Sequence, residues 1–267
     1  AGDVMGASAP VVARVPLPRT LLRGARRPQI ALVGLPRTGK STIFQAASST
    51  SVEAGALAGS ALSFSTCQVN IGLEQAALVD LPPLKTFHDL EDADRLLLTA
   101  LLDGAAGFKA PDLLIQVVDA TALEPNLAFA QELCQLGRPL VIALNRLDEA
   151  REKGIYINVE ALSEALGVPV VPTVAHMGKG IGSLFETALE LLRAKRCPLS
   201  QSPGAHLRKA LAPLNAILDQ PDVEAAFRVP RSLLLTQISR GETWFAAEMA
   251  RRFPALMPAV EAARAEA

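Results

Sequence analysis

Between residues 29 and 196 the chain alternates short apolar runs with longer stretches in which apolar side chains recur every three or four positions. The runs at 29–33, 66–71, 76–80, 112–118, 139–144 and 169–173 predict strands, and helical periods fall at 40–49, 91–103, 124–136, 158–166 and 181–194. Leu113-Leu114-Ile115-Gln116-Val117-Val118 and Leu140-Val141-Ile142-Ala143-Leu144 are apolar almost throughout, as expected of strands covered on both faces. The order predicts an α/β fold, a mostly parallel sheet covered by helices. Residues 50–65, rich in Ser, Ala and Gly, follow neither period and predict a mobile loop.

The pattern changes after Cys197-Pro198-Leu199-Ser200-Gln201-Ser202-Pro203-Gly204. From 205 to 267 no strand period remains, and prolines at 213, 221, 230, 254 and 258 divide short helical stretches. The expected organisation is a flexible arm over 1–28, an α/β domain over 29–196, a linker over 197–204 and a small all-helical domain over 205–267. Leu233, Leu234, Leu235, Trp244, Phe245 and Phe253 are core candidates of the last.

Composition narrows the picture. Half of the 267 residues are apolar, enough for a sizeable core, yet runs such as Leu96-Leu97-Leu98-Thr99-Ala100-Leu101-Leu102 fall far short of the ~20 residues of a membrane helix. The chain is therefore expected to be soluble. Three cysteines without a C-x-x-C pair and three histidines without ligand spacing argue against a disulfide framework, a zinc site or direct iron binding. A formal charge of −1 gives no general case for nucleic acid. Only the arm is basic, with Arg14, Arg19, Arg23, Arg26 and Arg27 against Asp3.

The chemistry begins at Gly34-Leu35-Pro36-Arg37-Thr38-Gly39-Lys40-Ser41, between the first strand and a helix opening with Thr42. This is phosphate-loop spacing: glycines let backbone N–H groups wrap an oxyanion, Lys40 reaches the β/γ-phosphates, Ser41 offers a Mg²⁺ ligand, and the helix points its positive end at the charge. Asp80, ending a strand before Leu81-Pro82, can hold Mg²⁺ through water. Thr66 is the choice for a switch threonine closing on Mg²⁺ and the γ-phosphate, with Ser60, Ser63 and Ser65 competing for the role.

A phosphate loop does not choose the base. Asn145-Arg146-Leu147-Asp148 does, since it follows a strand's carboxyl end, where open α/β sheets bind ligands. Asp148 can accept from the N1–H and 2-amino groups that guanine has and adenine lacks, while Asn145 can brace the loop and reach N7. Val174 and Ala175, after the last strand, sit where a backbone N–H can meet the guanine carbonyl.

Taken with their surroundings, these motifs resemble the cytoplasmic G-protein part of the FeoB family of ferrous-iron transporters. The likeness is densest in Asn145-Arg146-Leu147-Asp148-Glu149-Ala150, in the run from Gly154 to Thr173, and in Gly178-Lys179-Gly180-Ile181. It extends through Pro111 to Thr121 and Leu123-Glu124-Pro125-Asn126-Leu127, and covers about 29–196. The resemblance implies a P-loop GTPase fold binding GTP or GDP with Mg²⁺, a following helical domain that favours GDP retention, and a membrane iron-permease domain, absent from this chain, as partner. It places the chain at the cytoplasmic face of a prokaryotic inner membrane, either as an excised soluble portion or as the product of a gene lacking the channel, with a helical appendage able to support oligomers and no nucleic acid.

Two departures bear on chemistry. Arg37 stands where the family has an asparagine that helps to hold an activating K⁺, which puts K⁺ activation in question and offers Arg37 as a catalytic cation in its place. Pro83 stands where D-x-P-G has a glycine whose N–H bonds the γ-phosphate; proline has no N–H. No residue of 80–95 makes a convincing base: His88, Asp89, Glu91 and Asp92 fall in a region expected to be mobile. The expected activity is slow GTP hydrolysis in a regulatory domain coupled to iron uptake. The alternatives are an interaction module with weak or no catalysis and, less favoured, an RNA-associated GTPase using the basic arm.

Overall fold

The computed structural model describes residues 27–57, 62–84, 86–87, 90–194, 197–198, 205–227 and 229–266. Most of the basic arm and of the 197–204 linker, together with Ser60, His88 and Asp89, lies outside them. Seven strands form one sheet in the order β2-β3-β4-β1-β5-β6-β7. They are β1 (Gln29–Val33), β2 (Glu53–Ala56), β3 (Ser63–Ile71), β4 (Glu74–Asp80), β5 (Leu113–Asp119), β6 (Leu140–Asn145) and β7 (Val170–Pro172). The five from β4 to β7 pair in parallel, while β3 joins β4, and β2 joins β3, antiparallel. The mostly parallel sheet expected from the apolar runs is present.

Between the strands run α1 (Lys40–Ala47), α2 (Asp92–Asp103), α3 (Leu123–Cys134), α4 (Leu147–Glu152) and α5 (Val159–Leu166), and α6 (Ile181–Ala194) follows β7. Alternation along each strand sends side chains to two cores. Ile30, Leu32, Leu78, Val141 and Ala143 meet Ile43 and Phe44 of α1 and Leu184 and Phe185 of α6. Ala31, Val33, Val79, Ile142 and Leu144 face α2, α3 and the C-terminal helices. Every residue of β5 and β6 is buried, which is why neither run alternates.

The C-terminal region is helical as expected: α7 (Ala205–Leu218), α8 (Pro221–Phe227), α9 (Arg231–Arg240), α10 (Thr243–Arg252) and α11 (Met257–Glu266). Leu233, Leu234 and Phe245 are buried, whereas Leu235, Trp244 and Phe253 pack against the core from partly exposed positions. The Glu242 side chain caps α10 by accepting from the Phe245 N–H at 2.9 Å, a contact of the class worth about 1 kcal/mol. No helix among the described residues is long and apolar enough to cross a membrane.

Two expectations are corrected. Residues 50–65 are not all loop, because β2 pairs with β3 from Glu53↔Thr66 to Ala56↔Ser63 and β3 starts at Ser63. Among the described residues after Asp80, Leu81, Leu84, Phe87 and Leu90 are not loose: they are buried to 3 % exposure or less, so apolar burial fixes them to the core. Glu91 and Asp92 are exposed, and Asp92 pairs with Arg95 at 3.1 Å, as befits a solvated helix start.

Candidate nucleotide-binding site

The carboxyl ends of β1, β4, β5 and β6 converge on one edge of the sheet, and the loops leaving them carry the motifs. β1 runs into Gly34, where a Cβ would meet the Val117 carbonyl at 2.8 Å. The turn continues through Arg37 in the left-handed region (φ 65) and closes at Gly39 (φ 91), the N-cap of α1. A Cβ on Gly39 would lie 2.3 Å from Asn145 Nδ2, so this glycine lets the phosphate loop and the guanine motif touch. Among the described residues the N–H groups of Gly39, Lys40, Ser41 and Thr42 have no acceptor, which is the anion-binding face of a helix N-terminus.

Lys40, 9 % exposed, donates to Asp80 Oδ1 and to the Leu81 carbonyl. Ser41 Oγ donates to Asp80 Oδ2 at 2.9 Å. Lys40 and Ser41 thus meet Asp80, 40 and 39 positions further along the chain, because β1 and β4 are neighbours in register, Leu32 opposite Asp80. Thr38 is buried and its hydroxyl donates to the Leu35 carbonyl at 3.1 Å, stiffening the turn. Pro36, Arg37 and Thr42 are exposed, and the Arg37 guanidinium makes no bond among the described residues.

Asn145, 3 % exposed, is the hub between the two motifs. Its Nδ2 donates to the Thr38 carbonyl at 3.0 Å, and its Oδ1 accepts from Ala175 N at 3.0 Å and faces Thr173 Oγ1 at 3.4 Å. Both ends of the amide are engaged, so the bracing role is built, while the second N–H of Nδ2 has no acceptor among the described residues. Arg146 adopts φ 62 and reaches Asp119 Oδ2 at 3.1 Å, while Asp119 Oδ1 accepts from Thr121 N and Oγ1 at 2.8 and 2.7 Å. Asp148 sits in the first turn of α4 without capping it: Oδ1 is buried with no partner, and Oδ2 lies 3.5 Å from His176 Nε2. An orphaned buried carboxylate oxygen is an acceptor waiting for a donor.

The structure departs from the sequence reading at two points. Val174 N donates to the Lys179 carbonyl and Ala175 N to Asn145, so neither amide is available to a base. The next amide, His176, has no acceptor among the described residues; its place as the second residue of a 3-10 turn was not visible in the sequence. Thr66 is not brought to Ser41 and Asp80. In β3 it stands opposite Val79 on one side and Glu53 on the other, whereas Ser65 stands opposite Asp80. Residues directly opposite share a face, so Ser65 lies on the Asp80 side and Thr66 on the other.

A depression of about 260 Å³ beside Asp148 is lined by Leu147, Arg151, Thr173, Val174, Met177 and Lys179. A larger groove of about 490 Å³, lined by Leu140, Val168 and Cys197 among others, opens where β6 begins, at the wrong end of the sheet for this chemistry.

Residues 28–188 match the family described as ferrous iron transport protein B. The chain is 38% identical over 159 residues to the Fe(2+) transporter FeoB of Escherichia coli K12, covering 58% of this chain and 20% of that protein. It is 33% identical over 163 residues to a Fe(2+) transport protein A/FeoB fusion of Porphyromonas gingivalis, covering 61% and 19%. The chain thus spans about a fifth of the length of these relatives. In fold it is similar to a GDP-bound mutant of S. thermophilus NFeoB, with TM-score 0.75 and 24% identity over 88% of both chains. It is likewise similar to the GMPPNP form of the T. maritima FeoB cytosolic domain, with TM-score 0.73 and 20% identity over 90% of this chain and 95% of that one.

Proposed function

The chain belongs to the ferrous iron transport protein B family, and from that premise we propose that it is a guanine-nucleotide-binding regulatory domain which hydrolyses GTP slowly and couples this to ferrous iron uptake by a membrane permease domain. The observation that carries the reading is Asp148 Oδ1, buried and without a donor, in the first turn of α4, which follows Asn145 and its bond to the phosphate loop. A carboxylate there suits the two adjacent donors of guanine and repels the acceptor that adenine presents at N1.

The phosphate end is built for a polyphosphate. The unpaired N–H groups at the start of α1 receive oxygens, and Lys40 transfers its charge from Asp80 to the bridging region between β and γ. Ser41 and Asp80, already in contact at 2.9 Å, form an oxygen donor set suited to Mg²⁺. When bound, the ion neutralises charge developing on the phosphoryl oxygens. Glu91 and Asp92 are exposed, Asp92 being paired with Arg95 at the start of α2, and in this reading turnover rests on positioning and charge. Arg37, exposed and unpaired at the crest of the loop, is suited to supply a fixed cation where relatives use K⁺. Turnover that depends strongly on K⁺ over Na⁺ would sink that role.

Pro83, exposed and lacking an N–H, removes one γ-phosphate contact. A hydrogen bond to a charged oxygen contributes ~1.5–3 kcal/mol, so preference for GTP over GDP should be blunted by roughly one to two decades. The same feature favours a second reading, a GDP/GTP-binding interaction module without useful catalysis. Calorimetry of GDP, a non-hydrolysable GTP analogue and ADP with Mg²⁺, on the parent chain and on Pro83→Gly, tests both. Guanine-selective binding with near-equal GDP and GTP affinity, shifted toward GTP by the substitution, supports the regulatory reading; binding of neither guanine nucleotide refutes it. In this reading the domain works at the cytoplasmic face of a prokaryotic inner membrane, without nucleic acid, with α/β domain 29–196 and helical domain 205–267.

A further inference from the structure

The chain that leaves Asp80 is pinned twice. At its near end Lys40 donates to Asp80 Oδ1 and to the Leu81 carbonyl. At its far end one carboxylate of α3 accepts from two described donors: Glu132 Oε1 accepts from Thr86 Oγ1 at 2.8 Å and Oε2 from the Phe87 N–H at 2.7 Å. Phe87 is fully buried, its ring 6.0 Å from that of Phe129 at 72°, and Phe129 lies one turn before Glu132 on the same helix. Between the pins stand Pro82 and Pro83, whose fixed φ angles let little slack develop.

We propose that Glu132 is a positioning residue of the nucleotide site: by chelating Thr86 and Phe87 it anchors the far end of this strap and so fixes where Asp80 and Leu81 stand relative to the phosphate loop. It touches no nucleotide. The role rests on the reading of Lys40, Ser41 and Asp80 given above. A phosphate that draws Lys40 to itself loosens the near end, where Asp80 stays in register with Leu32 and the Leu81 N–H stays on the Leu32 carbonyl at 3.4 Å, and the carboxylate on α3 then holds the far end, so that the strap beyond Leu81 cannot drift and pull on Asp80. An acid is suited to this, because it accepts from a hydroxyl and a backbone N–H at once, in charge-assisted geometry. Thr86 and Phe87 belong to no helix or strand, so without Glu132 the Phe87 N–H loses its acceptor in a buried setting.

The test uses Glu132→Ala and Glu132→Gln in the full chain. Glutamine can accept from Phe87 N–H and donate to the Thr86 hydroxyl, so it should restore what alanine removes. In the nucleotide-free protein, hydrogen exchange of the Phe87 amide should accelerate at least tenfold in Glu132→Ala and stay within about threefold of the parent in Glu132→Gln. Dissociation of a fluorescent GDP analogue in Mg²⁺ should accelerate about tenfold in Glu132→Ala, the loss of roughly one charge-assisted bond, and within about twofold in Glu132→Gln. Val223→Ala, buried in the helical region, supplies a comparably destabilised protein whose dissociation rate should not move. Where Glu132→Ala does not fold, Thr86→Val removes one arm of the clamp and should accelerate release by a smaller factor in the same direction. Unchanged GDP release in folded Glu132→Ala, or equal effects of alanine and glutamine, overturns the clamp and leaves the proposed function standing. A parent chain that binds no guanine nucleotide overturns the proposed function and this role with it, whereas the exchange measurement still reports whether Glu132 holds Phe87.

Discussion

Asp148→Asn is the substitution whose outcome the geometry constrains most tightly. The carboxylate has one buried oxygen without a donor and a second 3.5 Å from His176 Nε2, and it supports no cap on α4. Guanine brings two adjacent donors, which pair with two acceptors that share a negative charge. Asparagine keeps the volume, loses the charge and replaces one acceptor with an NH₂ group facing a donor. Two charge-assisted bonds at about 1.5–3 kcal/mol each become one neutral bond of about 1 kcal/mol and one donor–donor contact. The net loss is then about 2–5 kcal/mol, or roughly 30-fold to several thousand-fold in GDP affinity. Xanthine carries a carbonyl where guanine carries its amino group, so the same substitution should raise affinity for XDP. Calorimetric titrations of GDP, XDP and ADP on both proteins in Mg²⁺ read the change directly. The melting temperature controls for the fold; removing a charge from the first turn of α4 should cost no more than ~1 kcal/mol. GDP affinity within threefold of the parent would refute base reading by Asp148. A fall in GDP affinity with no gain for XDP would mean that Asp148 acts through α4 or His176 instead.

Gly39→Ala should abolish GDP binding and destabilise the fold by about 2 kcal/mol or more, since its Cβ would lie 2.3 Å from Asn145 Nδ2 at φ 91; retained binding in a calorimeter would refute the close packing of the two motifs. Burial pushes the Cys134 thiol up to about 11 and raises that of Cys67 despite a hydrogen bond from Ser48, while Cys197 is exposed. A thiol reagent at pH 8 should therefore modify one cysteine per native chain and all three in urea, as counted by mass spectrometry. Glu248 is held below the ordinary carboxylate range, first by its hydrogen bond from Arg251 and then by Arg252. A depressed folded value means stabilisation that is full above the ordinary range and lost as the pH falls through it. Glu248→Gln should remove this acid-labile increment, no more than about 1 kcal/mol because its partner Arg251 is solvent-exposed, in urea melts between pH 7 and 3.

The sheet was legible because a strand covered on both faces needs an unbroken apolar run, as β5 and β6 have. β2 escaped because Glu53-Ala54-Gly55-Ala56 is an edge strand, mostly exposed, whose existence depends on backbone bonds to β3 and on no side-chain pattern. α4 escaped because six residues are too few to display a period. The strap after Asp80 carries a signal of another kind. Leu81, Leu84, Phe87 and Leu90 repeat every third position and are all buried, a spacing that across Pro82 and Pro83 belongs to neither a helix nor a strand. Burial of an irregular segment has no period-based signature when the partner surface, here α3 with Phe129 and Glu132, is 40 residues away.

At the site, residue types fixed by chemistry were legible and those fixed by register were not. Lys40, Ser41, Asp80 and Asp148 each follow from what a phosphate, a cation or a base edge requires. The choice between Ser65 and Thr66 depends on parity. Cys67, Val69 and Ile71 on β3 are 4 %, 3 % and 6 % exposed and belong to the core beneath α1, so β3 cannot slip by one residue without turning all three out of it. Thr66 therefore reaches the Asp80 side only if the end of β3 detaches from both neighbours, which breaks its pairing with Val79 and strips β2 of its only partner among the described strands. Ser65, already opposite Asp80, needs no such rearrangement. Whichever hydroxyl serves the cation, the short exposed β2 is the element whose attachment decides it.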